Sequence, residues 1–211
     1  MKLVKFKEDN LVLGIGILDI DDVSENQYKK WEKQISENRK KRVDCYKKSI
    51  DKKRCVCAEI LIKELGFYFL KSRKKELNLL KGKNGRPFLE GVDCSISISH
   101  SGKYVVGIIS EVEVGIDIEK MSDQQWLTIN HILGEKDLEY IRGQEKKLEQ
   151  LSKSQNERFF EVWTTKEAYS KMCGTGLTKY IFSISHTDIV SKSILFDEYV
   201  VSYIYRRKTD V

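Results

Sequence analysis

Alternating apolar and polar positions predict several strands in the middle of the chain. In the segment CSISISHS, isoleucine and serine alternate from Ser95, and residues 104–109 and 112–118 follow as two further apolar segments separated by a short turn. Successive side chains of a strand point to opposite faces, so a period of two predicts half-buried β-strands. The first 20 residues predict an earlier strand, and residues 180–205 predict later ones.

Two helices are predicted between the first strand and this region. The segment SENQ offers a capping box at Ser24, which opens a helix that continues through Ile35. A second helix is predicted over residues 49–65, with apolar residues on one face, and Gly66 is the expected stop signal.

The second half of the chain predicts a similar order of elements. Residues 127–173 have a mostly helical pattern, with breaks near Gly134 and Gly143, before the last strands begin. Strand, helices and strands are thus followed by strand, helices and strands. The sequence therefore predicts an α+β fold with a rough two-fold repeat of elements.

The charge balance indicates which kinds of partner are favoured. Lys and Arg number 38 against 32 Asp and Glu, which gives a net charge of +6. Such a surface favours phosphate-bearing ligands, acidic proteins or nucleic acid. No segment is long and apolar enough to span a bilayer, and the first residues do not form a secretion signal. We therefore expect a cytoplasmic protein whose five cysteines are reduced thiols.

Two carboxylates share one face of the strand in EVEVGIDIEK. Asp117 and Glu119 are two residues apart, so they lie side by side, while the valines and isoleucines point the other way. Neighbouring carboxylates repel unless a cation lies between them, and Mg²⁺ prefers such oxygen ligands. The alternative is an ordinary strand with a polar outer face, and the strand taken alone favours that alternative.

A helical segment further along adds a third carboxylate. In NERFFEVWTTKEAYSKMCGTGL, Glu167 and Lys171 are four residues apart on one helical face, and Lys166 precedes the glutamate. One reading is a surface Glu–Lys pair of small energetic value. In the other, Glu167 completes a cation site with the two strand carboxylates, and the lysines contact phosphate oxygens.

Together these motifs resemble those of the 4′-phosphopantetheinyl transferases, specifically the larger Sfp type. That family has a G-[IV]-D-[IVL]-E strand and, further along, a W-x-x-K-E-[AS]-x-x-K-x-x-G-x-G-L helix. GIDIE and WTTKEAYSKMCGTGL match both without a gap. GRP at Gly85 and SISHSG at Ser97 match two shorter motifs in the same order, and KKRCVCAEILIKELG resembles the family's arginine-containing helix.

The resemblance implies a fold and a reaction. The family fold is a pseudo-two-fold pair of similar α/β lobes, here residues 1–112 and residues 113–211, of which the second carries the metal and catalytic residues. The reaction moves phosphopantetheine from coenzyme A to a serine hydroxyl of an apo acyl or peptidyl carrier protein and releases adenosine 3′,5′-bisphosphate. Because both lobes lie in one chain, we expect a monomer.

The resemblance also assigns residues, motif position by motif position. Asp117, Glu119 and Glu167 would hold Mg²⁺, or Mn²⁺ in its place. Glu167 would also take the serine proton, directly or through a bound water, and Lys171 would contact the pyrophosphate during catalysis. The remaining contacts with coenzyme A would come from Lys41, Arg54, Arg86, Ser99, His100 and Lys166.

The tetrapeptide SISH occurs twice, ending at His100 and at His186. Only the first copy precedes the carboxylate strand, so we expect one site there and no second site at His186.

Two other function classes stay open on the sequence alone: a basic nucleic-acid-binding module, and an inactive homologue that binds coenzyme A without transferring from it. The paired acidic motifs would repel nucleic-acid phosphates, and each matched catalytic position holds a competent residue. We therefore expect an enzyme with neither a nucleic-acid nor a membrane partner.

Overall fold

The computed structural model describes residues 1–8, 11–70, 77–82, 85–122, 125–126, 133–144, 148, 151–176 and 188–208. Within these ranges the strands are β1 (Lys2–Glu8), β2 (Leu11–Asp19), β3 (Leu79–Lys81), β4 (Pro87–Leu89), β5 (Ser95–Ser101), β6 (Tyr104–Ser110), β7 (Val114–Lys120), β8 (Ile189–Phe196) and β9 (Tyr199–Arg206). The helices are α1 (Glu25–Glu32), α2 (Glu37–Cys45), α3 (Ser49–Leu70), α4 (Glu135–Arg142) and α5 (Lys153–Cys173).

The first half of the chain builds a four-stranded antiparallel sheet with the order β1-β2-β6-β5. The single strand predicted at the N-terminus is in fact two strands, β1 and β2, paired antiparallel. Helix α3 lies against this sheet where Gly16 and Gly107 are cross-strand partners. A Cβ atom at either glycine would come within 3 Å of Leu61 or Ile62, so the two glycines allow the helix to approach closely.

The second half builds a three-stranded antiparallel sheet with the order β7-β9-β8, and helix α5 packs on it through Ala168 and Met172 against Ile204. The opposite face of this sheet meets the first sheet in one buried cluster that includes Ile108 and Tyr203. The layers therefore run in the order α3, first sheet, second sheet, α5. The predicted α+β class is confirmed.

The predicted helix through Ile35 is wrong at its end. Helix α1 stops at Glu32, and α2 begins after Ser36, whose hydroxyl accepts a hydrogen bond from the backbone N–H of Arg39. Ile35 is buried between the two helices in a small cluster with α3. A serine cap restarts the helix in a new direction, and this capping outweighs the continuous apolar pattern.

Gly66 does not stop the second predicted helix, because α3 continues to Leu70. A Cβ atom at Gly66 would lie 2.6 Å from Leu77 Cδ1. The glycine therefore serves the close packing of Leu77 on the helix, while its backbone remains helical.

The predicted breaks near Gly134 and Gly143 are confirmed, because these two residues cap α4 at its two ends. The C-terminal strands are β8 and β9. Residues 127–132, 145–147 and 149–150 of the predicted helical stretch lie outside the described residues, as do residues 180–187 of the predicted strands, which include the second SISH copy with His186. In the described ranges, no helix has an apolar stretch long enough to cross a membrane.

Candidate active site at the junction of the two sheets

Strand β7 brings Asp117 and Glu119 to the edge of its sheet that faces β5. Ser99 Oγ donates a hydrogen bond to Asp117 Oδ1 at 2.6 Å, and Ser101 Oγ donates to Glu119 Oε2 at 2.9 Å. Asp117 is buried and Glu119 is half-buried. The strand thus presents both carboxylates on one face, as the alternation predicts. The β5 serines bond to these carboxylates at the strand edge, and α5 packs on the same face at Gly115, so the carboxylates are largely shielded from solvent.

Helix α5 adds Lys171 to the same place. Its Nζ lies 2.5 Å from Asp117 Oδ1 and 2.8 Å from Ser99 Oγ. The helix approaches β7 so closely at Gly115 that a Cβ atom there would overlap the carbonyl group of Ala168. Three segments that are distant in sequence therefore meet at one ammonium group.

Glu167 lies near the two strand carboxylates, one helical turn from Lys171. The pKa of Glu167 is raised to about 7, mainly by burial and next by the charge of Asp117; Lys171 opposes this shift and Glu119 adds to it. Burial and the charge of Asp117 likewise raise the pKa of Glu119. A carboxyl group with a pKa near neutrality can exchange a proton at physiological pH, which suits a general base.

The chemistry of these carboxylates fits a hard divalent cation. Asp117 Oδ2 is buried and has no hydrogen-bond partner within the described part of the chain. All the candidate ligands are oxygens, which Mg²⁺ prefers. The side chains are not arranged as a finished cage, since no three His, Cys, Asp or Glu side chains of the described residues gather around one point.

A cleft of about 910 Å³ opens beside this junction. Its volume is that of a typical cofactor pocket. None of the lining residues that the structure describes is acidic, whereas six are lysines or arginines: Arg39, Lys41, Arg42, Lys81, Arg86 and Lys171. The wall also includes apolar side chains such as Ile96 and Ile98. Such a wall favours a ligand with several negative charges and an apolar portion.

Four of the residues predicted to contact coenzyme A lie in this wall, namely Lys41, Arg86, His100 and Lys171. Arg86 also donates to Ser95 Oγ at 3.0 Å. His100 is an exposed residue of this wall, and desolvation by neighbouring atoms lowers the pKa of its ring; the charges of Arg54, Lys171 and Arg42 lower it further. Ser99 is buried behind the wall, where its hydroxyl joins Lys171 to Asp117.

Arg54 and Lys166, which are also predicted to contact coenzyme A, bond to other residues of the protein in this structure. Arg54 Nε donates to the carbonyl of Gly102 at 2.9 Å, its Nη2 makes a second contact with the same oxygen, and its Nη1 pairs with Asp51 at 3.0 Å. Lys166 is 4% exposed, and its Nζ pairs with Asp137 of α4 at 2.9 Å. Neither side chain lines the cleft. Their assignment to coenzyme A stays a prediction that these positions do not support.

Three cations of the wall were not predicted from the sequence, namely Lys81 of β3 and Arg39 and Arg42 of α2. Arg39 Nε lies 3.3 Å from Oε2 of Glu59, a fully buried carboxylate of α3, and Arg42 Nε donates to Tyr46 Oη at 3.1 Å. Because α2 begins after its Ser36 cap, this start point determines on which side of the helix the two arginines lie. The capping serine in SENRKKR is the sequence signal from which the positions of the two arginines could have been predicted.

Two family models match the chain and together span most of it. Residues 113–206 match the 4′-phosphopantetheinyl transferase superfamily, and residues 22–112 match the N-terminal model of 4′-phosphopantetheinyl transferase. The second model includes α2 and α3, and the first includes β7 and α5, so the site described above draws on both.

Similar proteins carry the same name. The chain is 35% identical over 127 residues to 4′-phosphopantetheinyl transferase gsp of Aneurinibacillus migulanus, which is 60% of this chain and 51% of that protein. It is 25% identical to psf-1 of Bacillus pumilus (79% of this chain, 70% of that protein) and 23% identical to Sfp of Bacillus subtilis strain 168 (76% and 70%). The match thus spans about half the length of gsp. With its motifs gathered at one site and both family models matched, this chain belongs to the Sfp-type 4′-phosphopantetheinyl transferases.

Proposed function

We propose that the protein transfers 4′-phosphopantetheine from coenzyme A to a serine hydroxyl of an apo acyl or peptidyl carrier protein. The observation that carries this proposal is the meeting of β5, β7 and α5 at Lys171. Lys171 lies in the wall of a cleft that is lined by six lysines and arginines and by no acidic residue among those that the structure describes. Coenzyme A bears phosphates on an adenosine and a long, less polar pantetheine arm, which suits such a cleft.

The proposed reaction is a displacement at phosphorus. The serine oxygen of the carrier forms a bond to the β-phosphorus of coenzyme A, and the bond from that phosphorus to the bridging oxygen breaks. Adenosine 3′,5′-bisphosphate leaves with the bridging oxygen, and the serine proton passes to Glu167, directly or through a water. Positioning and neutralisation of charge account for most of the catalysis of such transfers. Lys171, which lies in the wall, would contact the pyrophosphate.

We assign Mg²⁺, or Mn²⁺, to the carboxylates of Asp117, Glu119 and Glu167. When bound, the cation supplies positive charge to the diphosphate. This assignment is supported by the unpaired Asp117 Oδ2 and by the mutual effect of the carboxylates on the pKa of Glu167.

The phosphates of coenzyme A would be bound by the cleft cations. We assign phosphate binding to Lys41, Arg86 and His100, as the motifs predict, and also to Arg39 and Arg42 of the cleft wall. Ser99 would act by orienting Lys171 and Asp117, to which it is bonded.

The remaining expectations about the whole protein belong to the same proposal. We propose two lobes, residues 1–112 and residues 113–211; the proposal is supported by the two family models, which meet between residues 112 and 113. We also propose that the protein acts as a monomer in the cytoplasm, without a nucleic-acid partner. The five cysteines are all unpaired, in keeping with a reducing compartment.

Intact-mass measurement of a carrier protein tests the proposal. Incubation with coenzyme A, Mg²⁺ and apo carrier should add one phosphopantetheine group to the carrier and release one adenosine 3′,5′-bisphosphate. A carrier whose acceptor serine is replaced by alanine is the control and should stay unmodified. Binding of coenzyme A without transfer to carriers from fatty-acid, polyketide and peptide pathways would favour the inactive homologue instead.

A further inference from the structure

The alternating serines of β5 form a row of hydrogen bonds that joins the two sheets. Strand β5 is the last strand of the first sheet and β7 is the first strand of the second, and the two belong to different sheets. Serine hydroxyls of β5 accept hydrogen bonds from backbone N–H groups of β7: Ser95 from Val114 at 3.1 Å, Ser97 from Ile116 at 3.1 Å and Ser101 from Lys120 at 3.0 Å. We call Ser95, Ser97, Ser99 and Ser101 the serine row.

A hydroxyl can do at this junction what a backbone carbonyl cannot. A carbonyl oxygen only accepts, whereas a serine hydroxyl accepts hydrogen bonds and also donates one. Ser101 uses both capacities, since it accepts from the N–H of Lys120 and donates to Glu119 Oε2 at 2.9 Å. Each bond is to β7, one to its backbone and one to a side chain of the adjacent residue. The carboxylate is therefore fixed relative to the strand that carries it.

Ser99 and Ser101 act on different carboxylates in the same way. Ser99 accepts from Lys171 Nζ at 2.8 Å and donates to Asp117 Oδ1 at 2.6 Å. Hydrogen bonds to a charged acceptor are shorter and stronger than neutral ones, so each restricts the rotamer of its carboxylate. In contrast, Ser97 bonds to a backbone N–H of β7 and has no carboxylate partner among the bonds that the structure records.

We propose that Ser101 is a positioning residue, which orients Glu119 toward the divalent cation through a hydrogen bond from the opposite sheet. This inference rests on the proposed function, since it gives a role to a residue next to the cation ligands of that reaction. Outer-sphere partners that orient metal ligands change metal affinity by about 10- to 100-fold when they are removed. The hydroxyl of Ser101 is in the position of such a partner. Ser97 also lines the cleft, but the bond recorded for its hydroxyl is to the β7 backbone and not to a carboxylate.

The test compares Ser101→Ala with two other variants of the same strand. Ser97→Ala is the matched control, because it also removes a hydroxyl that accepts a backbone N–H of β7, at 3.1 Å against 3.0 Å for Ser101. Ser101→Thr keeps the hydroxyl. The probe is Mn²⁺, and the free ion is measured by electron paramagnetic resonance with and without coenzyme A, beside the Tm of each variant.

We expect Ser101→Ala to bind Mn²⁺ about 10-fold more weakly or worse, while Ser97→Ala keeps wild-type affinity although its Tm falls. Ser101→Thr should restore most of the affinity. High Mg²⁺ should also recover transfer by Ser101→Ala.

Three outcomes would overturn the inference. Equal Mn²⁺ affinity in wild type and Ser101→Ala would show that the hydroxyl only joins the sheets. Equal weakening by Ser97→Ala, or by Ser101→Thr, would show that the junction as a whole determines affinity and that the Ser101 hydroxyl has no separate role. Failure of the wild-type protein itself to bind Mn²⁺ would remove the proposed cation site together with this inference, so the two failures are distinguishable.

Discussion

The buried carboxylate of Glu59 should contribute far more to the free energy of unfolding than does a shorter ion pair on the protein surface. Glu59 is fully buried in α3 and has partners on every side: the backbone N–H of Ser36 at 2.7 Å, the Ser36 hydroxyl at 3.0 Å, Arg39 Nε at 3.3 Å and Lys63 Nζ at 2.8 Å. The two cationic side chains are only 12% and 14% exposed. Replacement of Glu59 by Gln leaves both with little water to compensate for the lost charge.

Removing one partner of a buried ion pair costs about 3–5 kcal/mol. The partial exposure of both cations places the Glu59→Gln cost toward the lower end, about 3 kcal/mol. For a chain of this size, each kcal/mol lowers the Tm by roughly 2–4 °C, so a decrease of about 6–12 °C is expected. Arg39 lines the cleft, and its loss of orientation should also weaken coenzyme A binding.

The control is Glu37→Gln in the neighbouring helix. Glu37 pairs with Lys40 at 2.6 Å, a shorter distance than that between Glu59 and Arg39, but its side chain is 80% exposed. Solvent screens such a pair, so the Tm of the Glu37→Gln variant should equal that of the wild type. Differential scanning calorimetry gives the Tm values, and isothermal titration gives the affinity for coenzyme A. Equal Tm values for the two variants, or wild-type affinity in Glu59→Gln, would refute the reasoning.

Four further results are expected. Lys171→Ala should lower turnover about 10²- to 10³-fold, as for loss of one contact to transition-state charge, with an unchanged circular dichroism spectrum; turnover within a few-fold of wild type would exclude that contact. Chelation with EDTA should abolish transfer, and added Mg²⁺ or Mn²⁺ should restore it; transfer in excess chelator would exclude a cation role. The pKa of His100 lies below its usual value in the free protein, so binding of adenosine 3′,5′-bisphosphate should raise it. Affinity should then increase as the pH falls, and titration calorimetry at several pH values that shows no change would argue against contact with His100. A maleimide reagent should modify exposed Cys45 well before buried Cys57, whose thiol pKa burial raises to about 12; equal rates would contradict the described burial.

The residues that act within one element could be predicted from the sequence. The strand period places Asp117 and Glu119 on one face, and the helical period places Glu167 one turn from Lys171. Those patterns are local, because a strand or a helix determines which side chains share a face. The resemblance then predicted that the strand and the helix meet, and the structure brings Lys171 to Asp117.

The residues whose positions depend on distant partners could not be predicted in the same way. Arg54 is held by Gly102, and Lys166 is held by Asp137, contacts that no local pattern reveals. The alternation in CSISISHS predicts a half-buried strand, which is confirmed, but it does not indicate that the serine hydroxyls bind the edge of a second sheet. Such pairings depend on the packing of elements far apart in the chain.

The close approach at Gly115 determines what this position of the chain can tolerate. The glycine of GIDIE has no positive φ, so its backbone would accept any residue. It is the carbonyl of Ala168, on the helix that carries Lys171, that leaves no room for a methyl group. In a library that samples all amino acids at position 115, selection for transfer activity should therefore return glycine almost alone. Selection for folding should also return alanine, in variants where α5 has moved away and the lysine no longer reaches Asp117.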